Sequence, residues 1–380
     1  MRKNFLILML MALLPLAGWA ATDISGYSFT IETASFTYSA ATPTINPTVT
    51  PTGTTTALAA TNYDLVYYSS DGTTELEAAD VKNVGTYYVA AKGKGDYEGT
   101  TTTKVQFTIS AKSLEGATVG SFVYTACRTT SPSSATYDGE AWEPTATLTI
   151  SPAITAEEYT VGYDNNTNAG TAKIIFTAKA NGNFTGSKEV TFTIAAKNLP
   201  ATTVDGAYTF TAATAYTYNG ETQTPTFTVK DGETTITDYD VVWYSTTPDA
   251  STEKDATTAV AKPTEVGTYY AKLFGKNNYG SAVFDATNWK FTIDKKTAKV
   301  RFASNLGKVY DGVAVTDADL TASEIVSFNG LAAADAEAST TLFGNTVKVE
   351  FVSSTEKKNA GEYKIKASSN SITTSLAKNY

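Results

Sequence analysis

Three pairs of neighbouring carboxylates are the residues whose type and spacing could do chemistry: Asp238 with Asp240, Glu157 with Glu158, and Asp317 with Asp319. Two carboxyls about 5–10 Å apart across a cleft can hydrolyse a glycosidic bond. Residues i and i+2 of a strand share a face, so Asp238 and Asp240 meet that distance. They abut a turn, however, and Asp238 fills a slot held elsewhere by Asn62 and Glu158, which reads as a polar turn position. Trp142, Trp243 and Trp289 could stack on a sugar ring. Trp243 and Trp289 fall in core-facing slots of a strand pattern. Trp142 follows Asp138-Gly139 and has no counterpart elsewhere, so it is the candidate exposed ligand contact. Cys127, the single thiol, reads as an incidental half-exposed residue, with an intermolecular disulfide as the alternative.

The chain has 380 residues and no histidine. That removes Ser-His-Asp and Cys-His nucleophiles and histidine metal sites. One cysteine removes thiolate zinc and a disulfide framework. No Asp-x-Asp-x-Asp-Gly calcium loop is present. The residues therefore predict no enzyme, no metal and no cofactor. A net charge of −9 and a pI of about 4.8 give no electrostatic footprint for nucleic acid.

The start of the chain reads as an address. Arg2 and Lys3 precede ten apolar residues, Phe5 to Leu14, then Pro15 and Gly18-Trp19-Ala20. This order predicts a secretory signal peptide over residues 1–20, cleaved after Ala20. Ten residues of helix span only about 15 Å, half a bilayer core, so an anchor fits less well. No later stretch reaches membrane-spanning length, and the mature chain is expected to be extracellular or on the outer cell surface without inserting in a membrane.

What positions all these residues is one domain written four times, an organisation to be sought before any other. Phe-Thr-Ile occurs at 107–109, 192–194 and 291–293, each followed by a joint containing Lys112, Lys197 or Lys295-Lys296. Those lysines read as edge caps or interface partners. Upstream lie Asn83-Val84-Gly85-Thr86, Asn168-Ala169-Gly170-Thr171, Glu265-Val266-Gly267-Thr268 and Asn359-Ala360-Gly361-Glu362. The glycines are 85, 97 and 94 residues apart, the size of an immunoglobulin-like sandwich. Tyr137-Asp138-Gly139, Tyr218-Asn219-Gly220 and Tyr310-Asp311-Gly312 open repeats two to four, with a degenerate Tyr38-Ser39-Ala40 in repeat one. Asp96-Tyr97-Glu98-Gly99, Asn183-Phe184-Thr185-Gly186 and Asn278-Tyr279-Gly280 follow in the same order. Gly139, Gly220 and Gly312 are predicted turn glycines, and so are Gly85, Gly170, Gly267 and Gly361. The expected boundaries are 21–110, 111–195, 196–294 and 295–380.

Between the turns the apolar period is two. Tyr63, Leu65 and Tyr67 match Tyr159, Val161 and Tyr163, then Tyr239, Val241 and Trp243. Tyr87, Val89 and Ala91 match Ala172, Ile174 and Phe176, then Tyr269, Ala271 and Leu273, then Tyr363, Ile365 and Ala367. Such alternation predicts strands with one face buried. Threonine and 23 tyrosines suit that pleated, half-buried surface. Only Asp317 to Ile325 is expected to hold a helical turn. The fold class is all-β: four tandem immunoglobulin-like antiparallel β-sandwich domains after a signal peptide.

In this order the landmarks resemble the bacterial immunoglobulin-like repeats called MBG and YDG domains. These occur in tandem in secreted and surface proteins, often of Bacteroidetes. Repeat two matches the pattern best, and repeat four resembles the YDG variant through Lys308-Val309-Tyr310-Asp311-Gly312 and Leu376-Ala377-Lys378-Asn379-Tyr380. Repeat one departs most, with a Thr/Pro/Gly-rich insertion from Pro43 to Thr56. The resemblance implies an adhesin-like surface role, with host or microbial glycans or proteins as partners, and no catalytic residue. A binding region or spacer of a larger secreted enzyme stays open as an alternative. So does a fimbrial subunit, because repeat four stops before its Phe-Thr-Ile. Its last strand is expected either from neighbouring repeats beyond residue 380 or from a donated strand.

Overall fold

The computed structural model describes residues 20–125, 127–128, 132–213, 215–302, 307–320, 325–338, 348–368 and 378–380. The signal-peptide reading over 1–20 thus falls outside the described residues except for Ala20, and Leu376-Ala377 does too. The described chain is all-β, a set of tandem β-sandwiches whose only helical pieces are short 3-10 turns. One of these spans Asp317–Asp319, inside the segment expected to turn helically. By contact the chain forms two units: Met1–Ala135 with Gly139–Ile194, and Thr136–Asp138 with Ala195–Tyr380.

In the first unit, repeat one carries a sheet in the order Ser35–Thr37, Val105–Ser110, Gly85–Gly93, Tyr63–Tyr68, Glu75–Leu76. Ser28–Ile31 pairs with Pro47–Thr50 as the facing layer. Between the layers lie Phe29, Val49, Tyr63, Tyr67, Val89, Ala91, Phe107 and Ile109. These are the alternating residues of the sequence pattern, because every second side chain of a strand points the same way. The other face is not simply solvated: Val66, Tyr68 and Ala90 are buried there against Tyr88. Lys104 Nζ sits 3.5 Å above the Tyr68 ring. In repeat two, Ser187–Ala195, Gly170–Ala178 and Tyr159–Asp164 pair in that order. Ala172, Ile174, Phe176, Phe192 and Ile194 are buried as expected, but Val161 is exposed. The described facing layer there is short, Thr118–Val119 on Leu148–Thr149 with one further antiparallel bridge between Val123 and Thr145.

In the second unit, repeat three has the sheet order Tyr216–Thr217, Lys290–Asp294, Gly267–Gly275, Tyr239–Tyr244, Ala259–Val260. The facing layer is Tyr208–Thr211, Thr226–Asp231 and Thr234–Ile236. Trp243, Tyr269, Leu273, Trp289, Phe291 and Ile293 fill the space between. In repeat four, Lys299–Phe302 pairs with Ile325–Asn329 and Lys348–Phe351 with Ile365–Ser368.

Two features differ from the sequence reading. The sandwiches are not wholly antiparallel. Ser35–Thr37 runs parallel to Val105–Ser110, and Tyr216–Thr217 parallel to Lys290–Asp294. A parallel pair needs a long connection between its strands, and here the body of the repeat supplies it. Alternation carries no information about strand direction. Second, Gly85, Gly170 and Gly267 are not turn residues but the first residues of nine-residue strands. Gly85 is small because the Tyr87 ring folds back over it, 3.3 Å from where a Cβ would lie. Tyr87 Oη donates to the Asn83 carbonyl at 3.0 Å, Tyr269 to Glu265 at 2.8 Å and Tyr363 to Asn359 at 2.7 Å. This tyrosine-to-upstream-backbone bond is a feature of immunoglobulin-like corners. Gly361 lies in a bend before such a tyrosine. Gly139, Gly220 and Gly312 have φ of 88°, 81° and 84°, as tight turns require.

Candidate functional site

In each pair at least one carboxylate is taken up by hydrogen bonds that hold its own turn or tie neighbouring segments together. Asp240 accepts from Lys254 Nζ at 2.6 Å and Lys276 Nζ at 2.8 Å, and those two bonds lower its pKa. Asp238 accepts from Asn277 Nδ2 at 3.1 Å. Glu158 closes a capping box on Thr155, and Asp319 closes one on Thr316. Asp317 accepts the Phe351 N–H at 2.8 Å. These bonds hold Asp240 and Asp319 in the ionised state rather than as the protonated acid a glycosidase needs. Among the described residues no three Cys, Asp or Glu side chains converge as a metal site would.

Trp142 does not sit where the sequence placed it. It is 3% exposed, with Tyr124 edge-on at 6.1 Å and the Arg128 guanidinium 4.2 Å above its ring. Its backbone N–H donates to the Asn166 carbonyl at 2.7 Å. A cation over an indole face is a favourable lid, so the ring is closed to a sugar. The sequence shows Trp142 without a counterpart; it does not show that Arg128 comes back across it. Trp243 and Trp289 are core residues, as expected. Cys127 is half-buried and free. A depression of about 460 Å³ opens beside Tyr208, Phe210, Asp285 and Trp289. Its Asp285 is turned back on its own loop, accepting the Thr287 and Asn288 N–H groups at 3.0 Å each.

The side chains that recur converge instead at the joints between repeats. The opening segment of every repeat is tied to that repeat's own aromatic turn, which begins with Asp96 in repeat one and with asparagine in the others. Thr22 N–H donates to the Asp96 carbonyl at 2.8 Å, Lys112 to Asn183 at 3.0 Å, Lys197 to Asn278 at 3.0 Å and Lys296 to Asn379 at 2.9 Å. The turn's asparagine side chain then reaches into the preceding repeat. Val84 N–H donates to Asn183 Oδ1 at 3.0 Å, and Asn183 Nδ2 donates to Asn83 Oδ1 at 3.2 Å. The second unit repeats this: Val266 N–H donates to Asn379 Oδ1 at 3.1 Å, and Asn379 Nδ2 donates to Glu265 at 2.8 Å. Asn379 is fully buried, and an amide there needs both bonds.

Beside each asparagine an aromatic plug meets the tyrosine that opens a repeat. Tyr38 meets Phe184 edge-on at 5.5 Å. Within the second unit Tyr137 meets Tyr279 at 5.7 Å, and Tyr218 meets Tyr380 at 5.5 Å. Tyr380 Oη also donates to Asp335 at 2.6 Å. Gly220 lies against Ala334, where a Cβ would come within 2.8 Å. The sequence signal for this joint was the recurrence of asparagine at 183, 278 and 379, read as turn chemistry alone.

Burial pushes the Tyr208, Tyr218 and Tyr279 phenols up to about 12 from 10.0. A raised folded-state value means stability is intact below pH 10.0 and is lost as pH rises to about 12. Each of the three would lose about 2–3 kcal/mol over that window. Titration by tyrosinate absorbance should therefore show a late class of phenols that ionises together with loss of β circular dichroism. Smooth titration of every tyrosine near 10.0, with the fold intact, would contradict this.

Comparison with family models and with curated proteins returned no match. A solved structure described as "Protocadherin gammaB7 EC3-6 cis-dimer structure" is 12% identical, with 72% of this chain and 76% of that one covered. Its TM-score is 0.17, a level of likeness that carries no inference about this chain.

Proposed function

We propose that this chain is a non-enzymatic, secreted multidomain protein of the MBG/YDG type, acting outside the cell as an adhesin-like stalk or binding surface. The observation that carries the reading is the joint. The recurring Asn, Tyr and Gly residues serve to couple one repeat to the next, and the carboxylate pairs serve loops. Stringing self-contained sandwiches builds a surface molecule without new chemistry, and weak contacts on several repeats add through multivalency. No helix among the described residues is long and apolar enough to cross a membrane.

The test is expression of the full chain in a bacterium with an outer membrane. Export with a mature N-terminus at Ala21, together with binding on an array of glycans and extracellular-matrix proteins, supports the reading. Cytoplasmic retention with residues 1–20 still attached, or turnover of a polysaccharide by the purified chain, sinks it.

A further inference from the structure

Repeat two leaves the strand Tyr159–Asp164 at the open edge of its sheet. Its counterparts Tyr63–Tyr68 and Tyr239–Tyr244 are covered on that side by Glu75–Leu76 and Ala259–Val260, short strands that fold back from the loop that follows. Those loops are residues 69–84 and 245–266. In repeat two only residues 165–169 join Asp164 to Gly170, too few to return along the strand. No strand among the described residues pairs with the outer side of Tyr159–Asp164.

The edge also lacks the devices that keep strand edges from pairing: lysine, proline or a bulge. All six residues pair in unbroken register with 173–178. In the counterparts an aspartate on the strand is ion-paired, Asp64 to Lys94 and Asp240 to Lys254 and Lys276; Thr160 stands in that slot. Val161 is 47% exposed, whereas Leu65 and Val241 pack against their cores.

The strand is complementary to itself. Lys179 N–H donates to the Glu158 carbonyl at 2.9 Å, which sets the alternation of the ladder. Thr160, Gly162 and Asp164 therefore turn their backbone groups into the sheet, and Tyr159, Val161 and Tyr163 turn theirs outward. In the counterparts the equivalent outward residues, Tyr67 and Trp243, take the covering strand at Leu76 and Val260. Read both ways from Val161 the strand is close to a palindrome: Tyr159 answers Tyr163, and Thr160 answers Gly162. An antiparallel copy centred on Val161 joins outward groups to outward groups through about six backbone hydrogen bonds. It sets valine against valine and each Tyr159 beside a Tyr163, and Thr160 gains the space over Gly162. Asp164 falls opposite Glu158, but Lys173 lies near Asp164, and the Glu158 carboxylate is turned back onto Thr155.

We infer that Tyr159–Asp164 pairs with the same strand of a second copy about a two-fold axis at Val161, so that the repeat-two sheet continues across two chains. One strand pair is small for an interface, and the association is weak.

Sedimentation of the mature chain at concentrations up to about 1 mM, the range of weak interfaces, reads this directly. The expected result is a monomer–dimer equilibrium with no larger species. Val161→Pro removes an outward N–H that its own sheet does not use, and should weaken association at least about tenfold. Val161→Lys keeps the backbone and places a charge against its own copy, with the same expected loss. Unchanged circular dichroism checks the fold of both. A nitroxide on Thr177→Cys, with Cys127→Ser, reads the register. Thr177 is exposed and pairs with Thr160, so the two labels should lie roughly 15–25 Å apart across three strand spacings. A wild-type chain that stays monomeric, leaving the edge to a strand of another protein, would overturn the inference. So would a dimer that persists in both Val161 variants, or labels well beyond that distance in the dimer.

Discussion

Replacing Phe291 by alanine is expected to destabilise repeat three by about 3–5 kcal/mol, the range for deleting a buried aromatic ring. Phe291 is 6% exposed at the centre of the aromatic core of that repeat, with Trp243 edge-on at 4.9 Å, Tyr216 at 5.0 Å and Tyr269 stacked at 5.5 Å. Three rings lose their shared neighbour at once, and the sheet backbone on either side keeps them from closing the gap. Thr292→Ala, one residue on, should change stability by less than about 0.5 kcal/mol. Its side chain is exposed and shares only a 3.2 Å hydroxyl contact with Thr268. Urea unfolding followed by tryptophan fluorescence separates the two, because Trp243 and Trp289 report repeat three while Trp142 reports repeat two. A Phe291→Ala chain whose repeat-three transition stays in place would refute the shared-slot account of Phe-Thr-Ile.

Lys272→Met should cost about 2–4 kcal/mol, although it exchanges a buried charge for an apolar side chain of similar length. Lys272 is 1% exposed on the strand Gly267–Gly275. Its ammonium donates to three carbonyls of one loop, Asp249 at 2.8 Å, Ala250 at 3.1 Å and Thr252 at 2.8 Å. Methionine would take this donor from all three acceptors at once, leaving the Asp249 carbonyl with the Thr252 N–H at 3.3 Å. Burial lowers the Lys272 pKa from 10.5, with Asp249 and Glu253 opposing the shift. Between the lowered folded value and 10.5 the unfolded chain holds the extra proton, so this group adds stability as pH rises there. That sign is opposite to the tyrosines. Thermal melts of wild type and Lys272→Met across the alkaline range should differ by this rise. Equal stability of the two at neutral pH would show that the carbonyls find other donors and that the lysine does not hold the loop.

Much of the core was legible because the repeats supplied four readings of one pattern. Phe107, Phe192 and Phe291 are buried in the same slot, as the alternation required. Tyr63 and Tyr67, Ala172 and Ile174, and Ala271 and Leu273 follow it too. What the pattern could not show was cover on the second face. Val66, Tyr68 and Lys272 point away from the main core, yet they are buried by a cluster of rings or by a loop brought over from elsewhere in the repeat. Trp142 failed for the same reason: Arg128, fourteen positions earlier in the sequence, closes over it.

By itself the amino-acid sequence determined the strand period, the four-fold repetition, the turn glycines 139, 220 and 312, and the absence of any histidine chemistry. Those are local properties: side-chain size, backbone freedom and spacing act over a few residues, and repetition makes them visible. Only the tertiary structure decided that Gly85 opens a strand beneath a tyrosine ring, that the first and last strands of a repeat run parallel, and that the asparagines of one repeat are bonded into the repeat before it. Each of these depends on partners separated by tens of residues. Asn183 and Asn83 are joined at 3.2 Å across a hundred positions, and no local preference of either residue encodes the other.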